Sequence, residues 1–584
     1  MTCSISLYKS RFDKTYFGST SSKLLLSGSM TRNKTHFSSI STEGTQKNRT
    51  GRWGTIKPFF QEKLSPCSRK CPGSIHIPRF MDQIQEEDFE SAWRTICEHN
   101  PLPRITGRVC PHPCEEDCLR QTFDEPIAIQ EVERFLGDLA FHQGWSHFDP
   151  PPAEKGKKIA VVGSGPSGIG CVYQLLKSGY EVSLFEAKAE LGGLLRYGIP
   201  NFRLPRNVLS EDMEMILGNR VHLYREVKVG RDIAWNELKD EYQAIFLGMG
   251  AQKPEIPSFL QESLVDVMEG LRFLEFSPNL PFQVKNKRIL VVGGGNTAFD
   301  VARVVIRLGG QPVILYRREI EDMPAFEYEI REAQAEGAEI CTLTSPVSIH
   351  REGRQLTGMN CLKTRITETI SGTRRMFETV KGTEHMILAD AVITAFGHVA
   401  DEDTLPPVID KADGAVLVDA FGATNIEGMF VGGDLTPDSR TVIHALAAGK
   451  ISAIGIDCYL KNQTLDTQEA RAPGTIVQAG DINHHYFKET ARQQALERDP
   501  RERIQDFKEY KPSLSPDAAN KEAERCFRCG ICTGCGNCEF YCPDLAVRLN
   551  ASVRSVQIDK TYCKGCSLCV QECPRGVMSM EVIE

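Results

Sequence analysis

Residues 157–168 read Lys157-Lys158-Ile159-Ala160-Val161-Val162-Gly163-Ser164-Gly165-Pro166-Ser167-Gly168, a charged start, a short apolar run and a GxGxxG turn. The uncharged stretch runs on to Leu176, 18 residues in all, long enough to imitate a membrane span. Its four glycines and one proline point instead to a strand, a tight turn and the start of a helix. A second strand, Glu181 to Phe185, then ends at Glu186. Gly163 makes the turn, Gly165 lets the backbone approach a pyrophosphate, and Gly168 lets helix pack on strand. The helix N-terminus favours the pyrophosphate charge, and Glu186 stands where a carboxylate accepts from both ribose hydroxyls.

The pattern returns at Lys287-Arg288-Ile289-Leu290-Val291-Val292, leading into Gly293-Gly294-Gly295-Asn296-Thr297-Ala298 and a strand from Pro312 to Tyr316. No acid follows this time. Arg317 and Arg318 stand at the strand end, where a 2′-phosphate would sit and a carboxylate would repel it. The first site therefore reads as FAD and the second as NADP, against the alternative that the arginine pair is only a solvated strand end. The chain then returns through an apolar strand, Asp390 to Phe396, to Phe430-Val431-Gly432-Gly433-Asp434 and a helix from Thr441 to Cys458. The NADP unit is thus expected as an insertion within the FAD unit, a placement that faces nicotinamide to flavin.

Around this centre lie 584 residues, a length that implies about four domains. The composition, 41% hydrophobic and 25% charged, excludes collagen-like, disordered and membrane-spanning classes for the chain as a whole. A net charge of −8 gives no sign of a nucleic-acid binder. The 21 cysteines are unusual, and they are clustered: ten lie between Cys526 and Cys573 and five at 67, 71, 110, 114 and 118. Without a recognisable secretory signal, this argues for thiolate-bound metal in a reducing, cytoplasmic compartment.

Cys532, Cys535, Cys538 and Cys542-Pro543 form CxxCxxCxxxCP, and Cys563, Cys566, Cys569 and Cys573-Pro574 repeat it, the spacing of a two-cluster bacterial ferredoxin. Three sulfurs of one run face one cubane, and the fourth ligand comes from the other run. The expected sets are Cys532, Cys535 and Cys538 with Cys573, and Cys563, Cys566 and Cys569 with Cys542. Zinc, the alternative, usually takes two separated CxxC pairs. Cys67, Cys71, Cys110, Cys114 and Cys118 are an awkward five; Cys526 and Cys529 make seven if folding brings them to the same place.

The fold class that follows is multidomain α/β. Residues 1–50, with 11 Ser, 8 Thr and only 2 acidic residues, read as a disordered or mis-assigned extension, with an organellar transit peptide the less favoured account. A helical iron–sulfur domain is expected at 51–150, with an amphipathic run from Ile77 to Glu98 and a proline-rich joint at 149–152. An FAD domain at 155–285 and 398–460 encloses an NADPH domain at 286–397, both Rossmann-like. A polar connector at 461–520 leads to an α+β ferredoxin domain at 521–584.

Several motifs resemble one family. The N-terminal cysteines, the segment from Gly163 to Arg203 with Leu191-Gly192-Gly193-Leu194-Leu195, the segment from Gly293 to Arg318 and Gly432-Gly433-Asp434 are similar to the small subunit of NADPH glutamate synthase. The same module resembles the NADPH-oxidising half of dihydropyrimidine dehydrogenase. Residues 521–584 resemble the delta subunit of 2-oxoacid:ferredoxin oxidoreductases. The resemblance implies that Gly163, Gly165, Gly168, Glu186, Gly193, Leu194, Arg203, Gly433 and Asp434 contact FAD. It implies that Gly293, Gly295, Ala298, Arg317, Arg318, Ala395, Phe396 and Gly397 contact NADPH. It also implies two N-terminal [4Fe-4S] clusters, and there the sequence departs from the pattern. Relatives carry a CxxC pair shortly before the CxxxCP, and none precedes Cys67 here; Cys526 and Cys529 look like that pair moved to the far end of the chain. One cluster would then take Cys67, Cys118, Cys526 and Cys529, and the other Cys71, Cys110, Cys114 and a non-cysteine ligand such as Glu133.

The expected function is NADPH oxidation through FAD and [4Fe-4S] clusters, with electrons leaving to a partner subunit or ferredoxin, in a hetero-oligomer without nucleic acid or membrane span. No catalytic acid or nucleophile is called for, because the cofactors carry the chemistry. The alternatives are a non-catalytic iron–sulfur scaffold or sensor, an electron-bifurcating transhydrogenase subunit, and a flavin disulfide reductase. The last lacks a redox cysteine pair, since residues 157–460 offer only Cys171, Cys341, Cys361 and Cys458.

Overall fold

The computed structural model describes residues 51, 54–148, 155–255, 257, 266–277, 280, 282–353, 355–367, 375–437, 440–463 and 474–583. The expectations for residues 1–50 and for the joint at 149–152 lie outside the described residues.

Near-continuous apolar runs form two parallel sheets that are covered on both faces, as parallel sheets require. In the first, Lys158–Val162 lies at the centre between Ala244–Leu247 and Glu181–Glu186. Met429–Val431 and Val221–Arg225 form its edges. Gly163 turns the chain at φ +103°, and a Cβ at Gly168 would fall 1.8 Å from the Gly163 carbonyl oxygen, so the turn admits only glycine at its third position. Helix Pro166–Lys177 packs against helix Val442–Lys461. Among the described residues one span, Val442–Leu460, is long and apolar enough to cross a membrane, and half of it is buried inside the protein. The stretch from Ile159 to Leu176 is strand, turn and helix, as read from its glycines.

The second sheet is also parallel, in the order Glu339–Cys341, Gln311–Leu315, Arg288–Val292, Ala391–Thr394, Val267–Glu269. Its last strand precedes residue 286, so this unit takes in residues from about 266, upstream of the boundary drawn at the fingerprint. An antiparallel sheet absent from the sequence reading grows between its strands: Thr344–Glu352 pairs with Gln355–Thr367, which also pairs with Met376–Thr379 and His385–Leu388.

The run from Ile77 to Glu98 is two helices, Ile77–Gln85 and Phe89–Cys97, not one. Glu87 takes φ +59°, and the Asp88 side chain caps the second helix by accepting from the Ser91 amide at 3.0 Å. Trp93 and Ile96 share a core with Ile169 and Leu176, so the helical part and the first sheet bury one another.

The first and last strands of the described residues meet. The last strand, Met578–Val582, pairs antiparallel with Ile56–Phe60, correcting the sequence division that gave the latter to the helical domain. The early segment is the last strand's sole ladder partner among the described residues, in a two-stranded sheet of their own. Helix Pro516–Arg525 packs on Ile77–Gln85 and Ile129–Gln143, drawing the ferredoxin-like end onto the helical part.

Candidate functional site

A cleft of about 1360 Å³ runs between the two parallel units. Gly163, Gly165, Glu186, Gly193, Leu194, Arg203 and Asp434 line it from one side; Asn296, Thr297 and Thr394 line it from the other. Gly165 has open space where a side chain would stand, the room a pyrophosphate needs. Glu186 accepts from the Ser164 amide at 3.0 Å, the Ser164 hydroxyl at 2.5 Å and the Lys188 amide at 2.9 Å, which aims its carboxylate at the turn. Burial holds the Asp434 carboxyl above the usual carboxylate range. Gly168 and Gly433 lie behind the lining, packed on Gly163 and Ser167. Arg203 also pairs with Asp300 at 2.7 Å and Glu329 at 2.5 Å, both from the second unit, partners that the sequence did not reveal. Its charge therefore links the two units while its side chain still borders the cleft.

At the second fingerprint Gly293 turns at φ +147°, with the Ala395 carbonyl 2.4 Å from where a Cβ would be. The Ala395-Phe396-Gly397 turn thus abuts the glycine turn, and Ala298 is fully buried behind it. Gly295 faces open space. Arg318 is 6% exposed, donates from Nε to the Arg375 carbonyl at 2.7 Å, and keeps a buried Nη1 without a partner. Phe377 underlies both guanidinium groups, at 4.7 Å from Arg317 and 5.2 Å from Arg318. An orphaned, buried guanidinium nitrogen beside a second arginine fits a phosphate, which supplies the acceptor the protein withholds.

The fifteen clustered cysteines fall into four neighbourhoods. Cys71, Cys110, Cys114 and Glu133 line a small cavity that Ile443 closes, next to Val109 and Pro111 in the wall of the large cleft. The Glu133 carboxylate is held by His112 Nε2 at 3.0 Å, by Asn100 Nδ2 at 2.9 Å and by the Thr106 hydroxyl. These three holders were missed in the sequence, although His112 lies in plain view between Cys110 and Cys114. In the second neighbourhood, Cys67 is within electrostatic reach of Cys118 and Cys526, and Cys529 within reach of all three. Burial pushes Cys118 up to about 11 and raises Cys67, Cys526 and Cys529. Cys118 accepts from the Ile127 amide at 3.5 Å and Cys526 from the Arg528 amide at 3.3 Å, and Cys67 Sγ shares a hydrogen bond with Ser65 Oγ at 3.2 Å. A clasp holds this place shut: Arg120 donates to the Arg525 carbonyl at 2.6 Å, Arg525 pairs with Asp124 at 3.0 Å, and Glu522 accepts from the Ala128 amide at 2.7 Å.

In the ferredoxin-like end, Cys538 neighbours Cys573, Cys535 and Cys532, whereas Cys569 neighbours Cys563, Cys542 and Cys566. The runs thus cross over. Burial pushes Cys538 and Cys569 up to about 12, and buried thiols of this kind ionise only beside a strong positive charge such as iron. Among the described residues no three metal-binding side chains converge on a single ion; a cube of four irons has a wider frame than zinc would. A further sign is Lys57, 1% exposed, whose ammonium donates to the carbonyls of Cys563, at 2.5 Å, and Gly51, with no carboxylate partner among the described residues. A cation buried against neutral carbonyls calls for a nearby anion, and a thiolate-bound cluster is one.

Residues 157–449 match the family described as pyridine nucleotide-disulphide oxidoreductase, residues 60–145 the dihydropyrimidine dehydrogenase domain II 4Fe-4S family, and residues 531–577 the 4Fe-4S dicluster domain. The glutamate synthase [NADPH] small chain of Escherichia coli K12 is 32% identical over 418 residues, 68% of this chain and 88% of that one. The chain belongs to the glutamate synthase small-chain family. The NADP(+)-dependent formate dehydrogenase subunit beta of Moorella thermoacetica is 33% identical over 81% of this chain and 71% of its own length. The NADPH-Fe(3+) oxidoreductase subunit beta of Geobacter sulfurreducens KN400 is 31% identical over 81% and 76%. As a member of this family the chain is an NADPH-dependent flavin and iron–sulfur oxidoreductase, binding FAD and NADPH and carrying [4Fe-4S] clusters towards both ends. The scaffold reading therefore falls away.

Proposed function

We propose that the chain is the electron-input subunit of a larger, cytoplasmic complex, drawing electrons from NADPH and delivering them at its ferredoxin-like end to a partner that holds the terminal substrate. When bound, FAD and the clusters supply the conversion of a two-electron hydride donor into single electrons. Gly163, Gly165 and Glu186 hold the flavin nucleotide, while Gly293, Gly295, Arg317 and Arg318 hold NADPH across the same cleft. Cys71, Cys110, Cys114 and Glu133 hold the cluster nearest the cleft, with His112, Asn100 and Thr106 orienting the carboxylate. Cys67, Cys118, Cys526 and Cys529 hold the next. Cys532, Cys535, Cys538 and Cys573 hold the third, and Cys563, Cys566, Cys569 and Cys542 the fourth.

The single observation that carries this reading is the continuity of place: Val109, Pro111 and Val442 line the nucleotide cleft, and their chain neighbours Cys110 and Ile443 line the cavity of Cys71 and Glu133. Beyond it, Cys67 lies within electrostatic reach of Cys114, and at the ferredoxin-like end Cys535 and Cys566 are exposed. The relatives named as beta subunits support a partner polypeptide.

Anaerobic rapid mixing with NADPH is expected to bleach the flavin first and the clusters afterwards. In the double variant Cys526→Ser/Cys529→Ser, iron per chain is expected to fall by about four atoms, one cluster. Unchanged iron would withdraw the ligand set drawn from both ends.

A further inference from the structure

Arg575 lies immediately after the Cys573-Pro574 pair and is 8% exposed. Its guanidinium donates from Nη1 to the Phe527 carbonyl, rests 4.9 Å from the Phe487 ring, and leaves Nε without a partner. Among the described residues no carboxylate pairs with it. The neighbouring Arg528, by contrast, is neutralised by Asp82 at 3.1 Å. Its contact with Phe527, which lies between Cys526 and Cys529, and its place two residues after Cys573 set it beside sulfur, with Cys526, Cys529 and Cys535 within electrostatic reach. Those cysteines belong to two different neighbourhoods, and Arg575 stands between them.

The backbone makes the same connection. The Gly530 amide, next to Cys529, donates to the Arg575 carbonyl at 2.8 Å, and the Lys63 amide donates to the Gly530 carbonyl at 2.9 Å. A continuous route therefore runs from Cys529 through Gly530, one hydrogen bond and Pro574 to Cys573. Gly530 is irreplaceable in it, at φ +80° with the Lys63 carbonyl 2.2 Å from where a Cβ would be. Burying an unpaired guanidinium is costly unless an anion shares the space. Each cluster with its four thiolates carries a net charge of about −2 when oxidised, and the net charge around a cluster is one of the quantities that set its potential.

We propose that Arg575 is a shared counter-charge between the cluster held by Cys67, Cys118, Cys526 and Cys529 and the one held by Cys532, Cys535, Cys538 and Cys573, raising the reduction potential of both. The inference rests on the ligand sets proposed above. Reduction of either cluster adds one electron, originating from NADPH, and takes up no proton and makes no bond. A fixed positive charge therefore favours the reduced state of each directly. Arg575 is a positioning residue: it ligates nothing and touches no substrate.

The test is an EPR-monitored redox titration of the anaerobic holoprotein, with iron and flavin counted per chain. Arg575→Gln removes the charge and Arg575→Lys keeps it. At the wild-type midpoint, Arg575→Gln is expected to lower the reduced-to-oxidised ratio of two clusters about tenfold, a shift of about 59 mV for one electron. The other two clusters and the rate of flavin bleaching by NADPH are expected to hold, and Arg575→Lys to titrate near wild type. Iron lost from Arg575→Gln but retained by Arg575→Lys also supports the charge role. Wild-type potentials in Arg575→Gln, equal shifts in both variants, or iron lost from both would overturn it. Failure of the ligand set is seen separately: if Cys526→Ser/Cys529→Ser keeps its iron, Arg575→Gln would shift one cluster only.

Discussion

The two nucleotide units share a plan and diverge at one strand end. Each has five parallel strands, a glycine turn with positive φ at its first position, and a helix whose start faces open space at the second glycine. At the end of the strand Glu181–Glu186 in the first unit stands Glu186, already accepting three hydrogen bonds from Ser164 and Lys188. After the corresponding strand of the second stand Arg317 and Arg318, lying over Phe377. In the function proposed above, a common scaffold leaves the choice of nucleotide to the sign of charge at a single place.

The comparison breaks hardest at the glycines. Gly165→Val and Gly295→Val each put a side chain into space that no protein atom occupies, so the fold should hold while the pyrophosphate is shut out. Gly165→Val is expected to purify without FAD and to lose NADPH-driven dye reduction entirely. Gly295→Val is expected to keep FAD and lose that activity at least about 100-fold, since binding through charge-assisted hydrogen bonds goes with it. Loss of FAD from both would mean that the units are not separate sites.

Removing the signs comes next. Arg318→Ala leaves the 2′-phosphate short of a donor worth about 1.5–3 kcal/mol, so KM for NADPH should rise roughly 10- to 100-fold with KM for NADH unchanged. Parallel movement of both KM values would show that the arginine only supports the fold. Glu186→Gln keeps the shape and removes the charge. About a tenfold weaker hold on FAD is expected, measured by flavin release during dilution, and undiminished retention would relieve the carboxylate of its role. The smallest effect belongs to Phe377→Ala. The ring's attraction for the guanidinium groups is worth about 0.5–1 kcal/mol at a partly exposed site, so KM for NADPH should rise about two- to fivefold while kcat holds. A fall in kcat instead would place the aromatic ring elsewhere in the cycle.

What was legible in the sequence is what neighbouring residues decide together. The glycine turns, Glu186, the arginine pair and the repeated CxxCxxC are short-range patterns whose chemistry is set by spacing alone. The pairing of Ile56–Phe60 with Met578–Val582 was not legible, because no local signal joins strands more than 500 residues apart. The break at Glu87 was hidden for a different reason: helical periodicity continues on both sides of it, and a non-glycine residue at φ +59° leaves no mark in composition. Arg203 carried a resemblance to flavin contacts, yet Asp300 and Glu329, distant in sequence, take its charge. Glu133 was singled out, but its holders Asn100 and Thr106 come from another turn of the chain and became visible only in three dimensions.

The strand pairing between Ile56–Phe60 and Met578–Val582 has a consequence in time. During synthesis the first of these segments leaves the ribosome early and waits without its partner while the nucleotide units form between them. The meeting of Cys67 with Cys526, the burial of Lys57 beside Cys563 and the pairing with Met578–Val582 need residues that are made more than 450 positions after Cys67. Closing so long a loop adds little entropy cost beyond that of a moderate one, because the cost grows only with the logarithm of length. Iron can therefore fill these places only once the chain has been made as far as Cys573, and a product interrupted between the nucleotide units and Cys526 would lack the ligands through which electrons are proposed to leave.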